Sequence, residues 1–418
     1  MYVNYAGFNH HALELRFDNP ASSSFEAEAR NQRHAILTKA CLQQSLGYLL
    51  FSHHLFDQIE TALLRLSMGS KAYGLAGMLP VVSSPCNDRV YNAENVKFLR
   101  PFLNVPKTRL IETAKISGIE WYEDSTNHDP SYGKRNVVRS LLLNEQELPA
   151  ALQSASLYEM MQEFQIQRQQ SDFLLQEIIK RCFRLQVVPS MGIIKLRPRY
   201  KMISELDHRV VARVLAYISE KVMPQGHVLQ SGFEPFVDNF LNAQSMLTPT
   251  FTKSNTQWTY YPGKRNGENK FWVVSRQYLK PNKLECIDIH LTGGKISERV
   301  MWDNRWWIQV EGPPGIDQEY RLRPMHLNDL KTLKQNLQVL EHWRHWTKNA
   351  ESAKGKARFM IPILEKKVAD TDGGMEYQGN KMVALPTLGI SFDQDIKVKS
   401  HHRSLESSDF EFARFQIE

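Results

Sequence analysis

Two carboxylates, Asp57 and Glu60, stand three positions apart at the head of a segment with helical periodicity, so both side chains leave the same helix face. Such a pair has two chemical uses. Its oxygens can hold Mg²⁺, and one carboxylate can take a proton from an attacking amine. Acidic residues are also routine in a first helical turn, where the dipole favours them, so the pair alone does not decide. His53 and His54 precede it. Neighbours leaving a strand point to opposite sides and make a poor chelate, so one histidine is expected to face the site and the other to pack. Arg30 with Arg33, and Arg135 with Arg139, repeat the same-face spacing with guanidinium groups. Each pair could grip phosphate in a fork or serve in a surface ion pair. Asp124, Ser125 and Asn127 make a polar turn able to cap the element that follows.

The elements around these residues follow from periodicity. His11–Asp18 alternates like a strand. Ser23-Ser24-Phe25-Glu26 reads as a capping box, and Phe25, Ala29, Ile36, Leu37 and Ala40 predict an amphipathic helix from Ser24 to about Leu42. Leu46–Phe51 is a short continuous apolar run that suits a buried parallel strand. A helix from Asp57 follows, with Ile59, Leu63 and Leu66 on one face. Strand, helix, strand, helix predicts a parallel α/β sheet with flanking helices, and ligands of such sheets bind beyond the carboxyl ends of the strands. His53, His54, Asp57 and Glu60 fall on that edge.

Further helices are predicted over Lys107–Ser117, from Arg135, over Ala151–Arg184 and over Ile203–Val222, with Ser83–Ala93 a polar loop. After Gln244 the pattern turns to strands at Trp258–Tyr261 and Phe271–Val274. Boundaries are placed near 148, 246 and 311. They delimit an α/β catalytic domain (1–148), a helical domain (149–245), a β-rich segment (246–310) and a mixed α+β, basic C-terminal region (311–418). No internal repeat is read.

The 418 residues carry 52 Lys and Arg against 45 Asp and Glu, a formal net charge of +7. The stretch Arg321–Lys367 alone holds eleven cations and four anions, so the remainder is neutral. Arg344 and Lys348 lie there among Trp343, Trp346 and several histidines, a composition that attracts phosphate backbones and can stack on bases; a solvated helix with its tryptophans inward is the other reading. Hydrophobic residues at 42% and charged residues at 23% exclude a mostly disordered chain or a coiled-coil rod. No apolar run is long enough to cross a bilayer. The four cysteines form no Cys-x-x-Cys pair, which argues against a zinc ribbon or a dithiol site and fits a reducing compartment.

Taken in order, several stretches resemble the tRNA(Ile)-lysidine synthetases, a family of PP-loop ATPases. They are Glu26-x-x-Ala29-Arg30-x-x-Arg33, His53-His54-x-x-Asp57-Gln58-x-Glu60-Thr61, Gly74-Leu75-Ala76-Gly77-Met78, Arg100-Pro101-Phe102-Leu103, Glu123-Asp124-Ser125-Thr126-Asn127 with Asp129, and Arg135-Asn136-x-x-Arg139. The likeness is at motif level over residues 11–143. It is looser, with a fungal flavour, to about 392 through Trp302-Asp303-Asn304-Arg305 and Leu385-Pro386-Thr387-Leu388-Gly389. The resemblance implies ATP and Mg²⁺ as cofactors, with free L-lysine and a tRNA(Ile) bearing a CAU anticodon as substrates. Lysine would be joined to C2 of the wobble cytidine with release of pyrophosphate and AMP. By the same resemblance, Asp57 and Glu60 are the catalytic pair and the Mg²⁺ ligands. His53, Arg135 and Asn136 bind nucleotide; Arg30, Arg33, Asp124, Asn127, Arg139, Arg344 and Lys348 bind tRNA.

The pattern departs from the family in three places. A Ser-Gly-Gly-x-Asp-Ser phosphate loop does not occur in these residues, so the domain is expected to be N-terminally incomplete. Phe56 stands where the family usually has an aspartate, and Met68, Lys71 and Tyr73 interrupt the approach to Gly74. A catalytically inactive tRNA-binding remnant is therefore the alternative to a ligase, and a tRNA-thiolating relative is a third, disfavoured by the scattered cysteines. The fungal likeness points to a mitochondrion, the alternative being the cytoplasm.

Overall fold

The structure is a computed structural model that describes residues 7, 9–16, 25–123, 129, 133–223, 230–243, 250–262, 270–279, 283–333, 359–367 and 381–405. The chain divides into two compact units, Met1–Leu174 and Leu175–Glu418.

In the first unit the apolar run at 46–51 forms strand β1 (Tyr48–Leu50), which pairs in parallel with β3 (Lys97–Leu99). Between them in sequence lies β2 (Val81–Ser83), on the far side of β3 and antiparallel to it. The all-parallel expectation is thus corrected: the return from β2 to β3 runs through turns and a short 3₁₀ segment (Ala93–Asn95), too tight for a parallel crossover. Residues 11–16 form no strand either. Helix α1 (Phe25–Gln43) covers one face of the sheet, packing Cys41 and Leu42 against Leu49, Phe98 and Val82. The register puts Tyr48, Lys97 and Ser83 side by side on the other face, with Leu50, Leu99 and Val81 next to them. There Tyr48 is 64% exposed, Leu50 65% and Val81 54%. The strand expected to be buried is covered on one side.

Helix α2 (Leu55–Ser67) starts just past β1. Its apolar side, Leu55, Phe56, Ile59, Leu63 and Leu66, packs with Val138 and Leu142 of α4 (Lys134–Leu143) and with Leu157 and Met160. Leu157 and Met160 belong to α5 (Ser154–Cys182), whose length contains the boundary between the units. Helix α3 (Lys107–Ile116), introduced by Pro106, buries no residue.

The second unit opens with β4 (Phe183–Val188) and β5 (Ile193–Pro198), an antiparallel pair inside the stretch read as a helical domain. The alternation of Phe183, Leu185 and Val187 is a strand's period of two, and Pro189 stops it. Both strands join β8 (Phe271–Arg276), β7 (Thr256–Tyr261) and β6 (Thr250–Lys253) in one antiparallel sheet. Helices α6 (His208–Glu220) and α7 (Glu234–Leu241) contribute to its core with Val214, Leu215, Phe236 and Phe240 against Trp258, Tyr260 and Trp272. A second five-stranded antiparallel sheet orders β15 (Ile390–Ser391), β14 (Lys381–Leu385), β13 (Pro362–Lys366), β12 (Gln318–Pro324) and β9 (Ile287–Leu291). A third runs β10 (Val300–Trp302), β11 (Trp306–Glu311), β16 (Lys397–His402).

One short motif does recur. Val188-Pro189-Ser190-Met191-Gly192-Ile193 and Leu385-Pro386-Thr387-Leu388-Gly389-Ile390 each leave a strand, make a 3₁₀ turn from the proline, reverse at a left-handed glycine (φ +61° and +63°) and enter the strand that pairs with the first. Met191, Ile193, Leu385, Leu388 and Ile390 share one apolar cluster.

Candidate functional site

The parallel strands β1 and β3 end side by side, held by Phe51 N–H to the Leu99 carbonyl (2.8 Å) and Leu55 N–H to the Val105 carbonyl (3.1 Å). Past those ends the chain carries His53, His54 and the start of α2 on one strand, and Arg100 on the other. Helix α4 adds Arg135, Asn136 and Arg139.

The two carboxylates are used differently. Asp57, in the first turn of α2, turns one oxygen back to accept the His54 backbone N–H (2.9 Å), with the His54 Nδ1 at 3.3 Å from the same oxygen. Its other oxygen lies 4.0 Å from Arg139 Nη2. Glu60 is fully buried, and each of its oxygens accepts from an arginine: Oε1 from Arg135 Nε, and Oε2 from Arg139 Nε at 2.7 Å. A buried carboxylate is stable in that setting because two cations offset its desolvation. Among the described residues no group of three or more His, Cys, Asp or Glu side chains could hold a metal ion. Asp57 fits Mg²⁺ only as one carboxylate beside phosphate oxygens, the usual Mg²⁺ arrangement. The Glu60 oxygens, each engaged by a guanidinium, do not fit a cation in this arrangement.

His53 and His54 do diverge. His54 faces Asp57, and His53 stacks on Phe51 (ring centres 5.5 Å apart). His34 of α1 meets the edges of Phe51 and Phe98 at 5.6 and 5.2 Å. Burial pushes the His34 imidazolium down to about 4, helped by Arg30, Arg33, Arg100 and His53. Burial likewise lowers His53, with Asp57 opposing and Arg100 and Arg135 assisting. The edge thus holds neutral imidazoles in a field set by arginines.

A loop behind α2 explains the Gly74–Met78 motif. Gln58 clamps Met78 from both sides, accepting its N–H (2.6 Å) and donating to its carbonyl (3.0 Å). Arg65 Nη1 donates to the Gly74 and Gly77 carbonyls at 2.7 and 2.9 Å. Gly77 has φ +71°, and a β-carbon there would meet Gln58 Oε1 and Met161 Sδ at 2.7 Å, so only glycine fits. Gln58, Arg65, His34 and Arg100 were not among the expected site residues. Gln58 and Arg100 lie within the quoted motifs, whereas Arg65 and His34 carry no sequence signal.

Arg30 and Arg33 sit exposed on α1 and reach the edge through their field at His34. Asn136 donates to the Asp129 carbonyl (2.8 Å). Asp124, Asn127, Arg344 and Lys348 lie outside the described residues. Within the basic stretch, three described cations are paired: Arg321 with Asp288, Arg323 with Asp329 and Glu365, and Lys367 with Asp288 and Glu319.

The family model for the PP-loop domain matches residues 6–146. The chain is 27% identical over 389 residues to a probable tRNA(Ile)-lysidine synthase of Schizosaccharomyces pombe, covering 91% of this chain and 77% of that protein. It is 24% identical over 369 residues to the tRNA(Ile)-lysidine synthase of Rickettsia prowazekii, covering 87% and 76%. With the Rickettsia typhi enzyme the identity is 34% over 133 residues, 32% of this chain and 28% of that one. No described helix is long and apolar enough to cross a membrane. The chain therefore carries a PP-loop domain, which implies ATP binding, and is homologous at modest identity to tRNA(Ile)-lysidine synthases over most of its length.

Proposed function

We propose that this protein is an AMP-forming carbon–nitrogen ligase that joins free lysine to C2 of the wobble cytidine of a CAU-anticodon tRNA(Ile). The observation that carries this reading is the joining of Asp57, Glu60, Arg135 and Arg139 at the carboxyl edge of β1 and β3, within a chain resembling such enzymes along most of its length. In the reaction the C2 oxygen of the cytidine attacks the α-phosphorus of ATP and pyrophosphate leaves. The lysine side-chain amine then forms the C2–N bond, losing a proton as the C2–O bond breaks and AMP departs.

Asp57, with one oxygen committed to the helix start and the other turned toward Arg139, is the group that takes the amine's proton; an ammonium is no nucleophile until it is deprotonated. Mg²⁺, when bound beside Asp57 and the phosphates, would offset phosphate charge. Glu60 acts by holding Arg135 and Arg139 in place for phosphates of the nucleotide or the anticodon backbone. His53 and Asn136 complete the nucleotide side. Arg30, Arg33, Asp124 and Asn127 are assigned to RNA binding, and the C-terminal region, with Arg344 and Lys348, to the tRNA body. A mitochondrial location goes with the likeness to the fungal relative, the cytoplasm being the alternative.

A second reading, RNA binding without chemistry, is favoured by Phe56, which packs in the apolar cluster of α2. One assay separates the two. A CAU-anticodon tRNA(Ile) transcript is incubated with the protein, ATP and lysine, and its nucleosides are analysed by mass spectrometry. Lysidine dependent on both ATP and lysine supports the ligase, and Asp57→Asn is expected to abolish it while leaving tRNA affinity within about twofold. Tight tRNA binding with no lysidine from the protein purified from its native cells would leave the second reading.

A further inference from the structure

Arg100 is fixed in place with part of its hydrogen-bonding capacity unspent. Its backbone N–H donates to the Pro80 carbonyl (2.8 Å), and its Nη1 to the Leu79 carbonyl (2.9 Å). The guanidinium carbon lies 5.7 Å from the centre of the Phe51 ring. With backbone, Nη1 and one face all engaged, the side chain is held in a single pose. Among the described residues its buried Nε–H meets no hydrogen-bond partner, and the buried Nδ1 of His53, stacked on the same Phe51, meets none either.

Buried polar atoms in native proteins nearly always find partners, and a charged donor left unmet is the costliest exception. These two exceptions occur together, around one phenylalanine, where the parallel strands end and ligands of α/β sheets bind. Arg100 and Arg135 act on His53, with Asp57 opposing them, and Arg30, Arg33 and Arg100 act on His34, which meets the same Phe51. That field favours an anion. The Nε edge of a guanidinium is the side that forms paired, charge-assisted bonds to phosphate oxygens.

We infer that Arg100, with His53 beside it, is an anion subsite that binds a phosphate group of the nucleotide or of the RNA. The inference rests on reading this edge as a nucleotide and tRNA site, and it adds a residue to that site. Arg100 is a binding residue in this scheme, positioned by the Leu79 carbonyl and Phe51.

The test compares wild-type protein with Arg100→Gln, which keeps a donor for the Leu79 carbonyl but loses the charge and the fork, and with Arg100→Lys, which keeps the charge alone. ATP binding is read by calorimetry, and binding of an anticodon stem-loop RNA by filter retention across a salt series. Arg100→Gln is expected to weaken one ligand about tenfold or more, with Arg100→Lys between it and wild type. A loss confined to ATP assigns the phosphate to the nucleotide. A loss confined to RNA, with the salt slope reduced by about one, assigns it to the backbone. Both affinities unchanged within about twofold in folded Arg100→Gln protein would overturn the inference. Should that variant fail to fold, phenylglyoxal labelling of wild-type protein decides. Protection of Arg100 by ATP or the stem-loop supports the subsite, and equal labelling with and without them overturns it. Wild-type protein that makes no lysidine but loses ligand on Arg100 substitution would sink the ligase reading and leave the subsite standing.

Discussion

The two units bury arginine in opposite ways. In the second unit Arg305 is 1% exposed, yet its Nε donates to Asp303 (2.8 Å), its Nη2 reaches the Met360 carbonyl (3.4 Å) and its guanidinium carbon lies 4.0 Å from the centre of the Trp306 ring. Asp303 also accepts from Arg276. Burial lowers Arg305 to about 10, with Asp303 opposing and Arg276 assisting, and it remains a cation at neutral pH. In the first unit Arg135 and Arg139 converge on Glu60 while staying partly exposed, and the Arg100 Nε–H is unmet among the described residues. The surroundings differ in the same sense: Trp258, Trp272, Trp302 and Trp306 are closed off in the second unit, whereas the sheet of the first has one bare face. A buried cation held by an acid, a carbonyl and a ring locks a fold. One with a donor to spare at the end of parallel strands is equipped for a ligand.

The strongest way to break this comparison is to remove the acid from each cluster. Glu60→Gln strips the shared partner from two arginines and is expected to destabilise the first unit by about 3–5 kcal/mol, the usual cost of breaking a buried pair. Asp303→Asn, at a left-handed backbone position that asparagine accepts, should cost the second unit a similar amount. Function should separate them. Folded Glu60→Gln protein loses ATP affinity, because Arg135 and Arg139 are no longer held, while folded Asp303→Asn protein keeps it. Urea titration followed by ATP calorimetry below the transition reads both. Equal ATP losses in the two variants would mean that the division of roles is wrong.

Much of this arrangement was legible beforehand, though unevenly. The helices bearing Arg30 and Asp57 announced themselves through apolar spacing, and the acid and arginine motifs marked Asp57, Glu60, Arg135 and Arg139. That Glu60 spends both oxygens on arginines was not legible, because the partners are 75 and 79 positions away and their meeting depends on how α4 packs on α2. His34 is silent in sequence for the same reason: packing against Phe51 and Phe98 makes it part of the edge. The run at 46–51 revealed a strand but not its surroundings, since apolar character cannot say what covers it. Strands β4 and β5 were missed because the helical reading was carried two residues past Cys182 to Arg184, and the residues from there to Ile203 were given no element although the period had already changed to two at Phe183.

Acid should act on the first unit through His34. Its imidazolium is held near 4 in the folded protein against an ordinary 6.5, so the folded state binds fewer protons between those values. Stability is then fully present above about pH 6.5 and declines as pH falls toward 4, by about 1–3 kcal/mol. His34→Phe, which keeps the ring contacts, should flatten that decline. His402, buried in the second unit and also held low, should keep its own acid sensitivity in this variant. Denaturation midpoints from pH 7 to 4, read by tryptophan fluorescence for the second unit and by proteolysis within residues 25–123 for the first, test this. A slope unchanged by His34→Phe would remove His34 from the account.

The smallest effect is expected on the bare sheet face. Leu50→Lys, on the side away from α1, should change stability by no more than about 0.5 kcal/mol, because the residue gives up little burial on folding. Phe98→Ala, on the covered side of the same sheet, should cost about 3–5 kcal/mol through the cavity it leaves. The pair is diagnostic because Leu50 lies one register step from Phe98, so their difference isolates the covering layer. A loss of several kcal/mol for Leu50→Lys would mean that the face is covered in solution by further polypeptide. Analytical ultracentrifugation of wild type and variant would then show whether a second copy supplies that cover: a dimer dispersed by Leu50→Lys says it does, and an unchanged monomer says it does not.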